Sequence, residues 1–289
     1  MGKVFEALKR AEESVGQVEK NLDLDVRQPT EEIQQEQPVS PHQLKKTAAR
    51  VQAGTGRWDA RLILATAATG PVAESIRALR TRILHPFSGK PPRSILVTSA
   101  SPGEGKSFVC ANLGISLAQG LDNYCLLVDG DLRRPAQHVL FGLNNTAGLA
   151  DYLQHTKRLP ELLVPSGVDK LSLLLSGSRT VNPAELVGSA AMTNLVDELA
   201  LRYKDRIVLL DSPPLHAASE TEVLAQHVDG VVLVVRYGGS RREHVKALVD
   251  TIGRDKILGV VFNAYHSTVL DAKLFGYYDY QNNYYYSEK

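Results

Sequence analysis

A glycine-rich turn ends in lysine and serine, and three aspartates further along lie at the close of apolar runs. Residues of these types in this order suit the transfer of a phosphoryl group. The turn is Ala100-Ser101-Pro102-Gly103-Glu104-Gly105-Lys106-Ser107. It matches the phosphate-binding P-loop except at its first position, where Ala100 replaces glycine. Gly103 and Gly105 can still take the backbone angles that aim successive N–H groups inward, and a following helix favours phosphate at its N-terminus. Lys106 is expected at the β- and γ-phosphates and Ser107 at Mg²⁺. Candidate nucleotide contacts are therefore Gly103, Glu104, Gly105, Lys106, Ser107 and Phe108. The first two acids lie in Leu126-Leu127-Val128-Asp129-Gly130-Asp131-Leu132-Arg133, two residues apart and able to face one cleft. Alone, Asp and Gly after a strand are also an ordinary turn signal. The third acid closes Ile207-Val208-Leu209-Leu210-Asp211, before Ser212-Pro213-Pro214. An acid in that place is the usual Mg²⁺-side carboxylate of a P-loop protein. Candidate catalytic residues are Lys106, Asp129, Asp131 and Asp211, and candidate metal ligands are Ser107, Asp129 and Asp211. Asp129 is the preferred general base for an incoming hydroxyl, with Asp131 the alternative.

Such residues need strands that end together. The pattern predicts strands over Ser94–Thr98, Tyr124–Asp129, Leu171–Leu175, Arg206–Asp211, Gly230–Val235 and Ile257–Asn263. Helices are predicted over Lys106–Leu117, Met192–Tyr203, Glu220–His227 and Arg241–Ile252. Runs such as Val231-Val232-Leu233-Val234-Val235 are apolar throughout, as strands covered on both faces are. The reading is an α/β fold: an open, mostly parallel sheet of about seven strands flanked by helices, with ligands outside the carboxyl ends. Before the first strand a helix begins near Pro71, with Val72, Ile76, Leu79 and Ile83 as its apolar stripe and Glu74, Arg77 and Arg80 on another face.

The 289 residues are 43% apolar and 22% charged, with a formal net charge of +1, enough for one substantial core and no general reason to expect nucleic acid as a partner. No apolar run reaches the 18 residues of a membrane span, and the first residues do not read as a signal peptide. Cys110 and Cys125 sit in apolar runs without metal-ligand spacing and read as buried thiols. Residues 1–16 read as a short amphipathic helix carrying Val4, Phe5, Leu8 and Ala11, either a satellite of the core or a docking element. Residues 17–69 read as a linker or arm, 70–270 as the globular domain and 271–289 as a tail. Residues 45–61 form a basic run that reads as a solvated stretch or a contact for anionic lipid. The tail is unusual: Tyr277, Tyr278, Tyr280, Tyr284, Tyr285 and Tyr286 account for six of the chain's 11 tyrosines.

Together these motifs resemble the deviant P-loop family that contains the ParA/MinD-type ATPases, and more closely the bacterial tyrosine autokinases (BY-kinases). The resemblance covers residues 70–289. Its Walker A is the P-loop, its Walker A′ is matched by Asp129, Asp131 and Arg133, and its Walker B by Asp211 and Pro214. It implies a P-loop NTPase fold, ATP/ADP and Mg²⁺ as cofactors, and transfer of phosphate to tyrosine. The six tail tyrosines would be the phosphoacceptors. Glu74, Arg77 and Arg80 match an ExxRxxR motif that implies contacts in a ring-like homo-oligomer. Asn263 would read adenine, or else caps a turn at a strand exit; Arg236 and Tyr237 would border the nucleotide. Asn182-Pro183-Ala184-Glu185-Leu186 matches a loop and helix start of structural role. The implied partners are the cytoplasmic tail of a membrane polysaccharide chain-length regulator and a protein-tyrosine phosphatase, with the protein cytoplasmic and recruited to the inner face of the plasma membrane. ParA/MinD-type proteins carry an extra early lysine where this chain has Ser101 and Pro102, and the tail cannot make a membrane helix. The His-Arg-Asp and Asp-Phe-Gly elements of eukaryotic-type kinases are also missing. The rival readings are a switch ATPase and a nucleotide-dependent scaffold.

Overall fold

The computed structural model describes residues 58–65, 71–87, 89–120, 123–202, 205–215 and 219–264. The N-terminal amphipathic segment and the tyrosine cluster lie outside the described residues. Among the described residues, seven strands form one sheet: β1 (Ser94–Ser99), β2 (Tyr124–Asp129), β3 (Leu163–Pro165), β4 (Leu171–Leu174), β5 (Arg206–Asp211), β6 (Gly230–Arg236) and β7 (Ile257–Asn263). Their order is β3-β4-β2-β5-β1-β6-β7. Every pairing is parallel except that of β3 with β4. The six predicted strands are all present. β3 was not predicted: three residues ending in proline carry little strand signal, and proline is tolerated there because β3 is an edge.

Alternate residues of each strand feed the two sides of the sheet. Ile95, Val97, Leu127, Leu209, Val232 and Val234 face one side, and Leu96, Leu126, Val128, Val208, Leu210 and Leu233 the other. The first side is covered by α1 (Ala60–Ala65), α2 (Pro71–Leu84) and α3 (Lys106–Ala118). α3 is apolar almost all round and buried from Val109 to Ala118, because it lies between the sheet and α2. The second side receives α8 (Ala190–Arg202), α9 (Glu220–His227) and α10 (Arg242–Ile252). Four short helices fill the connections: α4 (Gln137–Leu140), α5 (Leu149–Leu153), α6 (Leu159–Leu162) and α7 (Pro183–Val187), the last starting with proline as the sequence suggests.

One expectation needs correction. Val72 does not belong to the buried stripe of α2: it is 50% exposed, and Ala73 takes its place beside Ile76, Leu79 and Ile83. The periodicity favoured the larger apolar side chain, but in the first turn of α2 the buried one is Ala73. Packing also begins before Pro71. Trp58 stands edge-on to Phe141 with ring centroids 5.6 Å apart, its indole N–H donates to Ser166 O at 3.2 Å, and Leu62 is fully buried.

Candidate active site

β1, β5 and β2 are neighbours, and their carboxyl ends carry the P-loop, Asp211 and Asp129. Parallel register places Asp129 beside Asp211, and Asp211 beside Val97 of β1. The segment after β5 is pinned to β1 by Ser212 Oγ donating to Val97 O at 3.2 Å and Thr98 Oγ1 donating to Pro213 O at 3.0 Å. The acids therefore meet because the sheet aligns them.

The P-loop turns as its glycines permit. Gly103 has φ 79° and Gly105 φ 88°. At Gly105 a Cβ would also stand 2.0 Å from Asn263 Nδ2. Gly105 starts α3 without a side-chain cap, leaving the first-turn N–H groups for an anion. Glu104 is buried, and its carboxylate accepts from Ser101 N at 3.0 Å. It braces the loop, so its contribution to phosphate binding is its main chain. Phe108, in the first turn of α3, is half-buried and packs against the core.

Lys106 Nζ lies 3.0 Å from Asp131 Oδ2 in a nearly buried ion pair, and Asp131 Oδ1 accepts from Arg134 N. Asp129 Oδ2 accepts from Ala136 N at 3.2 Å and Gln137 N at 3.0 Å. Asp211 Oδ2 accepts from Gln137 Nε2 at 2.9 Å. Gln137 Nε2 donates as well to Ser107 O at 3.0 Å. Asp129 Oδ1 and Asp211 Oδ1 remain buried with no hydrogen-bond partner. Burial, then the neighbouring Asp211, pushes the Asp129 carboxyl well above the usual carboxylate range. Burial also lifts Asp211 to about 6, against the pull of Lys106 and of the Ser107 and Gln137 hydrogen bonds.

Two adjacent carboxylates with unpartnered oxygens beside a serine hydroxyl fit a hard cation. Among the described residues no group of three or more His, Cys, Asp and Glu could hold a metal alone. Mg²⁺ ordinarily uses one or two carboxylates and completes its shell with phosphates and water, so Ser107, Asp129 and Asp211 fit it as a partner of bound nucleotide. Cys110 and Cys125 are free and buried, with thiol pKa values raised chiefly by burial.

The remaining candidates fall elsewhere. Asn263 Nδ2 donates to Glu104 O at 2.8 Å, which ties the end of β7 to the P-loop. Arg236 and Tyr237 are exposed at the end of β6. Glu74 and Arg77 pair with each other on α2, while Arg80 Nη1 donates to Ser116 O of α3 at 2.9 Å. Arg133 pairs at 2.8 Å with the buried Glu220 at the head of α9. Gln137 and Glu220 were not foreseen. A lone Gln or Glu carries no type signal.

A P-loop, two acids in register on neighbouring strands and a lysine beside them define a nucleoside-triphosphate site of the deviant Walker class. No protein-family model matches the chain. Individual relatives do. Tyrosine-protein kinase YwqD of Bacillus subtilis is 33% identical over 214 residues, covering 73% of this chain and 88% of that protein. The crystal structure of the chimerical protein CapA2B2 superposes with a TM-score of 0.64 at 33% identity, over 73% of this chain and 92% of that one. The tyrosine-protein kinase wzc of Salmonella typhimurium is 28% identical over 84% of this chain, which spans 34% of that longer protein. The chain thus belongs to the bacterial tyrosine-kinase family and is a kinase-type enzyme.

Proposed function

We propose that the protein uses Mg²⁺ and ATP to phosphorylate the tyrosine cluster, Tyr277 to Tyr286, on the tail of a neighbouring subunit. The observation that carries this reading is the meeting of Lys106, Ser107, Asp129, Asp131 and Asp211 at the ends of three adjacent strands. Lys106 leaves Asp131 for the γ-phosphate and stabilises charge on the transferring group. Asp131 stays anchored by Arg134 N. A tyrosine hydroxyl attacks the γ-phosphorus, the bond to the β-phosphate oxygen breaks, and ADP leaves. The Asp129 carboxylate receives the hydroxyl proton, with Asp131 the alternative acceptor. Mg²⁺ held by Ser107, Asp129 and Asp211 supplies neutralisation of phosphate charge.

Glu74 and Arg77, on the outer face of α2, would contact the next subunit of a ring, with Arg80 holding α2 against α3. The family places such kinases in control of exopolysaccharide or capsule synthesis and export. For this chain that implies a cytoplasmic protein brought to the inner face of the plasma membrane by the tail of a chain-length regulator and reversed by a phosphatase. No described helix is long and apolar enough to cross a membrane.

The test is the intact mass of purified protein before and after Mg²⁺–ATP, with phosphotyrosine read on the 277–289 peptide. A ladder of added phosphates is expected. ATP consumption without added phosphate would instead favour a switch ATPase.

A further inference from the structure

Gln137 is fully buried, yet it belongs to none of the nucleotide motifs. Its position is shared by three elements that must act together. The side-chain amide donates to Ser107 O of the P-loop helix and to Asp211 Oδ2 at the end of β5. The backbone N–H donates to Asp129 Oδ2 at the end of β2. One residue thus ties one oxygen of each acid. The other oxygen of each, Asp129 Oδ1 and Asp211 Oδ1, is left buried and unpartnered, and so is Gln137 Oε1. Without these donors, two buried carboxylates side by side would repel each other and turn apart.

The segment carrying Gln137 is held at its far end as well. Asp59 N donates to Leu140 O at 2.9 Å, and Trp58 packs edge-on against Phe141. α4 is therefore a short bar, seated on Trp58 and Asp59 at one end and on the acids at the other.

We infer that Gln137 is a positioning residue that presets Asp129 and Asp211 to present one free oxygen each to a divalent cation bound with nucleotide. The inference rests on the kinase reading only for the use of the cation; the geometry needs nothing from the tyrosines. Groups that orient metal-binding carboxylates typically change metal affinity by about 10- to 100-fold when removed. A plain packing role would weaken nucleotide binding alike with and without metal.

The experiment compares Gln137→Met, similar in length but without donors, with the wild-type chain. Affinity for a fluorescent ADP analogue is measured in excess EDTA and in Mg²⁺, and the EPR spectrum of bound Mn²⁺ is recorded in place of Mg²⁺. Trp58 is the chain's sole tryptophan, so its emission maximum reports whether α4 remains seated. The expected result is an unchanged Trp58 emission, an unchanged affinity in EDTA, and a loss of about tenfold or more in the gain that Mg²⁺ confers, with an altered Mn²⁺ spectrum. An intact Mg²⁺ gain would overturn the inference. So would an equal loss with and without metal, or a wild-type affinity indifferent to Mg²⁺. If Gln137→Met does not give a wild-type melting profile, Gln137→Asn, which keeps the amide but shortens its reach, is read by the same criteria. A wild-type protein that gains affinity from Mg²⁺ but adds no phosphate to tyrosine would sink the kinase reading and leave this one standing.

Discussion

The two halves of the catalytic end of the sheet are built differently. On the phosphate side, at β2, β5 and β1, Asp129, Asp131, Asp211 and Gln137 are between 0% and 2% exposed, and each is tied by a hydrogen bond or an ion pair. On the other side, β6 ends in Arg236, followed by Tyr237, both exposed, and β7, which ends in Asn263, alternates between half-buried and exposed. Phe262, one residue before Asn263, is 66% exposed. The difference teaches where precision is stored. Sheet register fixes the groups that handle charge, because a buried carboxylate an ångström out of place costs catalysis heavily. The half that would meet the base is left open, joined to the P-loop chiefly through Asn263.

The most severe way to break the phosphate half is Lys106→Met. Tyrosine phosphorylation should fall by about 10²- to 10³-fold or more, as when one transition-state donor is removed, while the far-UV circular dichroism stays that of the wild type. Full phosphorylation of the variant would reject Lys106 as the phosphate-binding lysine. The equivalent blow to the open half, Arg236→Ala, should leave transfer within a few-fold of wild type, because Arg236 is exposed and contributes little to the fold.

The phosphate half should also be strained by its own charges. The rise of the Asp211 carboxyl from its ordinary 3.8 to about 6 is worth about 3 kcal/mol. Between those values the folded protein holds a proton that the unfolded chain has released. Stability of the nucleotide-free protein therefore falls as pH rises through that window and stays low above it. Asp211→Asn should raise the melting midpoint at pH 7.5, with a gain of about 1–3 kcal/mol that fades below pH 4, and should stop phosphate transfer. A midpoint unchanged at pH 7.5 would show that the charge costs the fold nothing.

Much of this half was legible in advance. Val128-Asp129 and Leu210-Asp211 announced themselves because a strand buried on both faces reads as an apolar run, and an acid at its end interrupts the run. Parallel pairing then brings such acids together. What stayed hidden has a common cause. Gln137 and the Trp58 contact depend on where short connections fold back, and four-residue helices have no periodicity to read. Ala73 escaped for a different reason, since a small side chain adds little to an apolar pattern. The tyrosine cluster was conspicuous by composition and lies outside the described residues.

A weaker effect separates the arginines of α2. Arg77→Ala should dissociate the assembly, seen by light scattering, and slow autophosphorylation about tenfold at micromolar protein, because a neighbouring tail is no longer held at high local concentration. Arg80→Ala should act first on stability, since it loses the bond to Ser116 O that anchors α2 to α3. If both variants remained assembled with wild-type rates, the outer face of α2 would not be an interface.

The smallest effect tests the open half itself. Asn263 has two possible roles, reading adenine or clasping the P-loop, and the second already occupies its amide through Glu104 O. Its Oδ1 meanwhile accepts from Ala264 N at 2.9 Å. A single hydrogen bond is worth about 0.5–1.5 kcal/mol, so Asn263→Ala should raise the KM for ATP about three- to tenfold with little change in kcat. The comparison of nucleotides decides the role. An adenine reader would lose discrimination between ATP and GTP, because only the adenine contact vanishes. A clasp would weaken both equally, since Gly105 and its neighbours would loosen around any triphosphate. Equal weakening would mean that even Asn263, at the end of β7, serves the phosphate half, and that choice of base is left to groups beyond the strand ends.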